Sequence, residues 1–217
     1  MKLSKERIAG MIGPISKRPA LLRGTAVESV LTLFETGKLF PDRRCDRNTR
    51  DYLYFVPVSR ELPVSLRDDG WRSRSDAIES AELYAADNGE ERHIMECIMK
   101  AGIPKSKAEM IKCEWLCDIS HRIPAYARKI ANGLDYKDIY KRAEKYNGVI
   151  IEVGKGVLGM KLEIDPEGEG VRLRCPSGLP AKYVKRIEPQ GRKEKEILKT
   201  YLAGKRNYQE HAEKTKK

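Results

Sequence analysis

Strand signals stand on both sides of a long helical stretch, and a chain ordered in this way must assemble its sheet from its two ends. Ahead of the stretch, Tyr52-Leu53-Tyr54-Phe55-Val56-Pro57-Val58 is β-branched and aromatic, with Pro57 suited to an edge or a strand end. Behind it, Gly148-Val149-Ile150-Ile151-Glu152-Val153 is a strand, and Val157 to Ile164, bounded by Gly154, Gly156 and Gly159, reads as another. Val171-Arg172-Leu173-Arg174-Cys175 alternates as a half-buried strand does. Pro176-Ser177-Gly178 turns the chain, and Leu179 to Ile187 closes the unit. The expected class is α+β: a split, mostly antiparallel sheet of about six strands, with the helices of 91–146 inserted as a group between its halves. The strand 148–153 is expected beside Leu21–Gly24 or Tyr52–Val58.

The helices are read from spacing and punctuation. Leu21-Leu22-Arg23 is a short apolar entry into Gly24-Thr25, after which Ala26, Val27, Val30, Leu31, Leu33 and Phe34 recur at helical spacing. Gly37 stops that helix and Pro41 follows. Ser73-Arg74-Ser75-Asp76 is a helix start with an acid three residues after the cap. The helix behind it is expected to end near Asn88-Gly89, with further helices over 91–101, 105–120, 124–132 and 135–146. Residues 1–189 then form one domain. Residues 190–217 form a basic tail, helical or disordered, with little in it to bury.

The 217 residues carry 43 Lys+Arg against 32 Asp+Glu, a net charge of +11, and from Lys182 onward the chain is strongly basic. That excess favours a polyanionic partner, most often nucleic acid. Four arginines, Arg43, Arg44, Arg47 and Arg50, lie in one polar loop, and Arg60, Arg67, Arg72 and Arg74 follow in the next. Tyr52, Tyr54 and Trp71 stand among them in sequence, a mixture suited to single strands, where bases stack and phosphates pair with cations. No apolar stretch approaches the roughly 18 residues of a bilayer span. Met1-Lys2-Leu3-Ser4-Lys5-Glu6-Arg7 has no apolar run behind it, so a cytoplasmic protein without membrane contact is expected. The five cysteines are scattered and read as free thiols. Cys113, Cys117 and His121 share a helical face, and His93 and Cys97 repeat the spacing, but without a Cys-x-x-Cys knuckle no zinc is expected. Asp165, Glu167 and Glu169 lie in a Pro/Gly turn with no lysine in the usual Asp–Glu-x-Lys arrangement, which argues against a metal-dependent nuclease.

The order of the pieces resembles the ADP-ribosyltransferase superfamily, whose members cleave the nicotinamide–ribose bond of NAD and pass ADP-ribose to an acceptor. The resemblance rests on Leu22-Arg23-Gly24-Thr25, the interval from Gly37 to Pro41, the aromatic strand Tyr52 to Val58 and the helix Ser75 to Ala85. Late in the chain it rests on Gly148 to Val153 and on Leu179-Pro180-Ala181-Lys182-Tyr183-Val184-Lys185-Arg186-Ile187. It implies NAD as a consumed substrate. Arg23 would grip the diphosphate, the Gly24 backbone would pair with the nicotinamide amide, Thr25 would bond ribose or amide, and Tyr52, Tyr54 or Tyr84 would stack on the nicotinamide ring. It also implies a glutamate at the start of the strand before the closing segment, to stabilise the ribose cation. Counting back from Leu179-Pro180 reaches 170–172, and Glu169 is the nearest acid. Glu152 and Glu163 are the other strand carboxylates, each expected on a solvated strand face. The branch acting on bases of single-stranded DNA suits the charge best. The competing reading is a non-catalytic basic protein that binds nucleic acid through the same arginines and tail; a transferase with a protein acceptor is a third.

Overall fold

The computed structural model describes residues 2–41, 51–58, 73–117, 125–143, 145–165 and 170–204. Helices are α1 (Lys5–Met11), α2 (Val27–Thr36), α3 (Arg74–Lys100), α4 (Lys105–Cys117), α5 (Ala125–Asn132), α6 (Tyr136–Ala143) and α7 (Arg192–Leu202). Strands are β1 (Leu21–Thr25), β2 (Lys38–Leu39), β3 (Tyr52–Pro57), β4 (Val149–Val153), β5 (Leu162–Ile164), β6 (Val171–Arg174), β7 (Leu179–Pro180) and β8 (Val184–Pro189). The architecture is α+β. Six strands form one sheet in the order β5-β6-β3-β1-β4-β8, each pairing antiparallel, and β2 pairs with β7 in a small second sheet. β4 lies directly against β1, from Leu21↔Val153 to Thr25↔Val149, so both ends of the chain meet at the sheet centre. Pro57 is the last residue of β3, where its missing N–H breaks no ladder.

Both faces of the sheet are covered. Alternation along β1 and β4 sends Leu21, Val149, Ile151 and Val153 to a core shared with α1, α2 and α7. Leu22 and Ile150 go to the opposite face, against Ala77 and Ala81 of α3. All five residues of β1 and all five of β4 are buried, as central strands between two layers must be. A second core, built on Ile94, Met95 and Ile98 of α3 with Ile103, Ile111 and Ile139, holds the helical insertion.

Several expectations are corrected. α3 does not end near Asn88-Gly89 but runs 27 residues to Lys100. Ser73 and Asp76 start it with a reciprocal capping box. Gly89 lies in its interior because the helix needs a close approach there: a Cβ would come within 3.0 Å of the Tyr146 carbonyl and 3.2 Å of the Gly148 nitrogen. The expected strand Val157–Ile164 shrinks to Leu162–Ile164, since Lys155–Val157 coils into a 3-10 turn. The expected strand over 179–187 divides into β7, a 3-10 turn at Ala181–Tyr183, and β8. The tail does bury core residues: Leu198 of α7 is 1% exposed, and Ile197, Tyr201 and Leu202 pack beside it. None of the helices among the described residues is long and apolar enough to cross a membrane.

Candidate functional site

The ladder between β1 and β3 holds only Leu21↔Pro57 and Leu22↔Val56, whereas β4 follows β1 through Thr25. Arg23 stands where β3 leaves β1. Its side chain is 4% exposed, and its Nη1 donates to the Tyr54 carbonyl at 3.0 Å, occupying an acceptor that a longer ladder would have used. Thr25 is fully buried. Gly24 faces α3, and a Cβ there would lie 2.1 Å from the Ala81 carbonyl oxygen and 2.4 Å from the Ala85 nitrogen. The close approach permitted by its missing side chain is therefore taken by the helix. Tyr52 stacks under the Arg172 guanidinium at 4.4 Å, while Tyr84 is 41% exposed on α3.

The carboxylates differ in place. Glu169 lies outside the described residues, as do Arg43, Arg44, Arg47, Arg50, Arg60, Arg67, Arg72 and Trp71. Glu163 accepts from Arg172 Nε at 3.2 Å across β5 and β6. Glu152, expected on a solvated strand face, is instead 6% exposed because β4 is central. Its two oxygens accept from the Ser16 N–H at 2.8 Å and the Ser16 hydroxyl at 2.7 Å.

Two hollows open at opposite ends of β1. One, of about 290 Å³, begins at Ala26 beyond the end of β1 and is walled by Phe40, Pro41, Glu28 and Arg92. Burial pushes the Glu28 carboxyl above its ordinary range, with Arg92 opposing. Lys112 and Glu91 close an ion pair of 2.6 Å on its wall, so its charges are largely matched. The other, of about 450 Å³, lies where Ala20 leads into β1, between the loop before that strand and the ends of β4 and β8. Arg18, Lys155, Lys185 and Arg186 line it, with Glu152 as the one carboxylate among its lining residues. Arg74, read from the sequence as a phosphate contact, reaches the same loop, its Nε and Nη2 lying 3.4 and 3.3 Å from the Ser16 carbonyl. The other four cations were not singled out together because they are scattered along the chain; the neighbouring order of β1, β4 and β8 assembles them.

On α3, Cys97 Sγ and His93 Nε2 are 3.5 Å apart. Desolvation first, then Lys193, Arg142 and Lys100, lowers the imidazole to about 4, and burial pushes the Cys97 thiol up. Both groups are thereby held neutral, a poor arrangement for a thiolate nucleophile. Among the described residues no three His, Cys, Asp or Glu side chains gather as metal ligands, and Cys113, Cys117 and His121 have no described side chains. Comparison of the chain with models of protein families, with curated proteins and with solved structures finds no match.

Proposed function

We propose that the protein transfers ADP-ribose from NAD to a nucleic-acid acceptor. The observation that carries this reading is the meeting of three segments remote in sequence. β1, β3 and β6 are neighbours, Arg23 donates to the Tyr54 carbonyl, and Phe55 pairs with Val171, two residues after Glu169. The strands that hold the residues resembling the diphosphate grip and the aromatic pocket, and the strand that follows Glu169 in sequence, are thus neighbours in one sheet. The hollow beyond β1 adds support, since Phe40 and Pro41 belong to a segment that carries the resemblance. The chemistry asks for a cationic grip on the diphosphate and a carboxylate near C1′, where positive charge concentrates as nicotinamide leaves.

The test is nicotinamide release from NAD with a single-stranded oligonucleotide present, together with transfer of label to the strand. Wild type is expected to release nicotinamide. Glu169→Gln is expected to be at least about a hundredfold slower, roughly 3 kcal/mol of transition-state stabilisation, with NAD binding kept. A wild type that binds the oligonucleotide and never consumes NAD would leave the non-catalytic binding reading in its place. The burial of Arg23 and Thr25 favours that second reading, because both side chains already serve the fold.

A further inference from the structure

The geometry points to the basic hollow before β1 as a seat for the phosphates of a single nucleic-acid strand. Four cations line it against one carboxylate, and that carboxylate has both oxygens engaged by Ser16. Among the described residues Arg18, Lys185 and Arg186 form no ion pair, and Arg186 spends Nη1 on the Gly10 carbonyl at 2.9 Å. Like charges brought together in this way raise a local positive potential, which an anionic ligand relieves.

The hollow is a constructed feature of the fold. Glu152 holds Ser16, and Glu188 Oε2 accepts from the Ile15 N–H at 2.8 Å, so two strand carboxylates fix the loop that carries Arg18. The stem of Lys185 crosses Gly154, with Cε only 2.7 Å from where a Cβ would lie. The donors are exposed Lys and Arg side chains, and the cations continue past the hollow to exposed Lys17 and Arg74. Several solvated point charges suit successive backbone phosphates, whereas an isolated phosphate or diphosphate is more often cradled by converging backbone N–H groups. Glu152 shares the α3 face of the sheet with Leu22, and Arg23 shares the other with Leu21, so this seat is separate from the NAD grip. The inference rests on the proposed nucleic-acid acceptor for the identity of the strand. Its readout uses no NAD, so failure of binding and failure of transfer are observed separately.

The experiment uses the full chain and a short fluorescein-labelled single strand, followed by anisotropy across a salt series. Arg18→Gln and Lys185→Gln are each expected to weaken binding several-fold at low salt. Each should reduce the slope of log affinity against log salt by about 0.7, the value for one phosphate contact on a single strand. Lys137→Gln, an equal charge change on exposed α6, is expected to leave both unchanged. Inorganic pyrophosphate, titrated calorimetrically, is the second arm. Strand affinity and salt slope unaltered in the Arg18→Gln/Lys185→Gln double variant would overturn the proposal. So would loss of pyrophosphate binding in that variant with strand binding intact, which would assign the hollow to a free diphosphate. All three positions are exposed, and matched melting curves check that the fold is kept.

Discussion

Gly24 decides how closely α3 lies on the sheet. A methyl at that position would meet the Ala81 carbonyl oxygen at 2.1 Å and the Ala85 nitrogen at 2.4 Å, and backbone atoms cannot rotate away as a side chain does. Gly24→Ala is therefore expected to push the helix from β1 and to cost about 3 kcal/mol, the upper part of the usual range for overpacking. A urea midpoint lowered at unchanged slope would show it, and a midpoint equal to wild type would refute the tight contact. The glycine was legible as a close approach but not as an approach to a helix, since Leu22-Arg23-Gly24 does not say which layer lies above it. Arg23 teaches the same lesson. An arginine in a short apolar strand suggests a ligand, yet its Nη1 is bound to the Tyr54 carbonyl, because β3 leaves β1 at that point and strands a backbone acceptor. Glu152 was misplaced for a related reason: Val-Ile-Ile-Glu-Val reads equally well as a half-exposed or a central strand, and its neighbours in space decide.

Among the elements, α7 shows how charge can conceal packing. Its residues Arg192 to Leu202 are dominated by Lys, Arg and Glu, and its apolar positions form a narrow stripe of Ile197, Leu198, Tyr201 and Leu202. That stripe closes the core beside Phe34, whose ring centroid lies 5.3 Å from that of Tyr201. The helix is also anchored at its start, where buried Glu194 accepts from the Asn147 N–H at 3.2 Å. Leu198→Ala is expected to destabilise by about 2–4 kcal/mol, as for other buried leucines, and to lower the melting temperature by about 5–15 °C in a chain of this length. A shift of a degree or less would show that α7 is dispensable to the core. The strand elements were the most readable part of the fold, because alternation and aromatic content mark them locally. The length of α3 was not, because Gly89 looks like a stop until the chain at 146–148 is seen lying against it.

At the scale of the molecule, the helical insertion and the tail meet at one stack, and that stack makes stability depend on pH. His93 of α3 lies against the ring of Tyr146, 4.6 Å between centroids, and Lys193 of α7 holds its Nζ 3.9 Å from the centroid of the same Tyr146 ring. Burial first, then Lys193, Arg142 and Lys100, depresses the imidazole from 6.5 to about 4. The unfolded chain therefore takes up a proton between pH 6.5 and 4 that the folded chain refuses. Stability from this group is present above pH 6.5 and is lost as pH falls through the window to about 4. Because the ring is only half-buried, solvent screening reduces the effect to about 1 kcal/mol. Urea midpoints for wild type and His93→Gln at pH 7.5, 5.5 and 4.2 isolate it, since the remaining titrating groups are common to both and cancel in the difference. Wild type is expected to lose about 1 kcal/mol more than the variant between the ends of that series. Lys193→Gln removes one of the cations that oppose protonation, and is expected to raise the imidazole value and shrink the acid loss. A wild-type minus His93→Gln difference that stays flat with pH would mean that His93 takes its proton freely in the folded state, and the junction would then be held by ring stacking with no electrostatic gate.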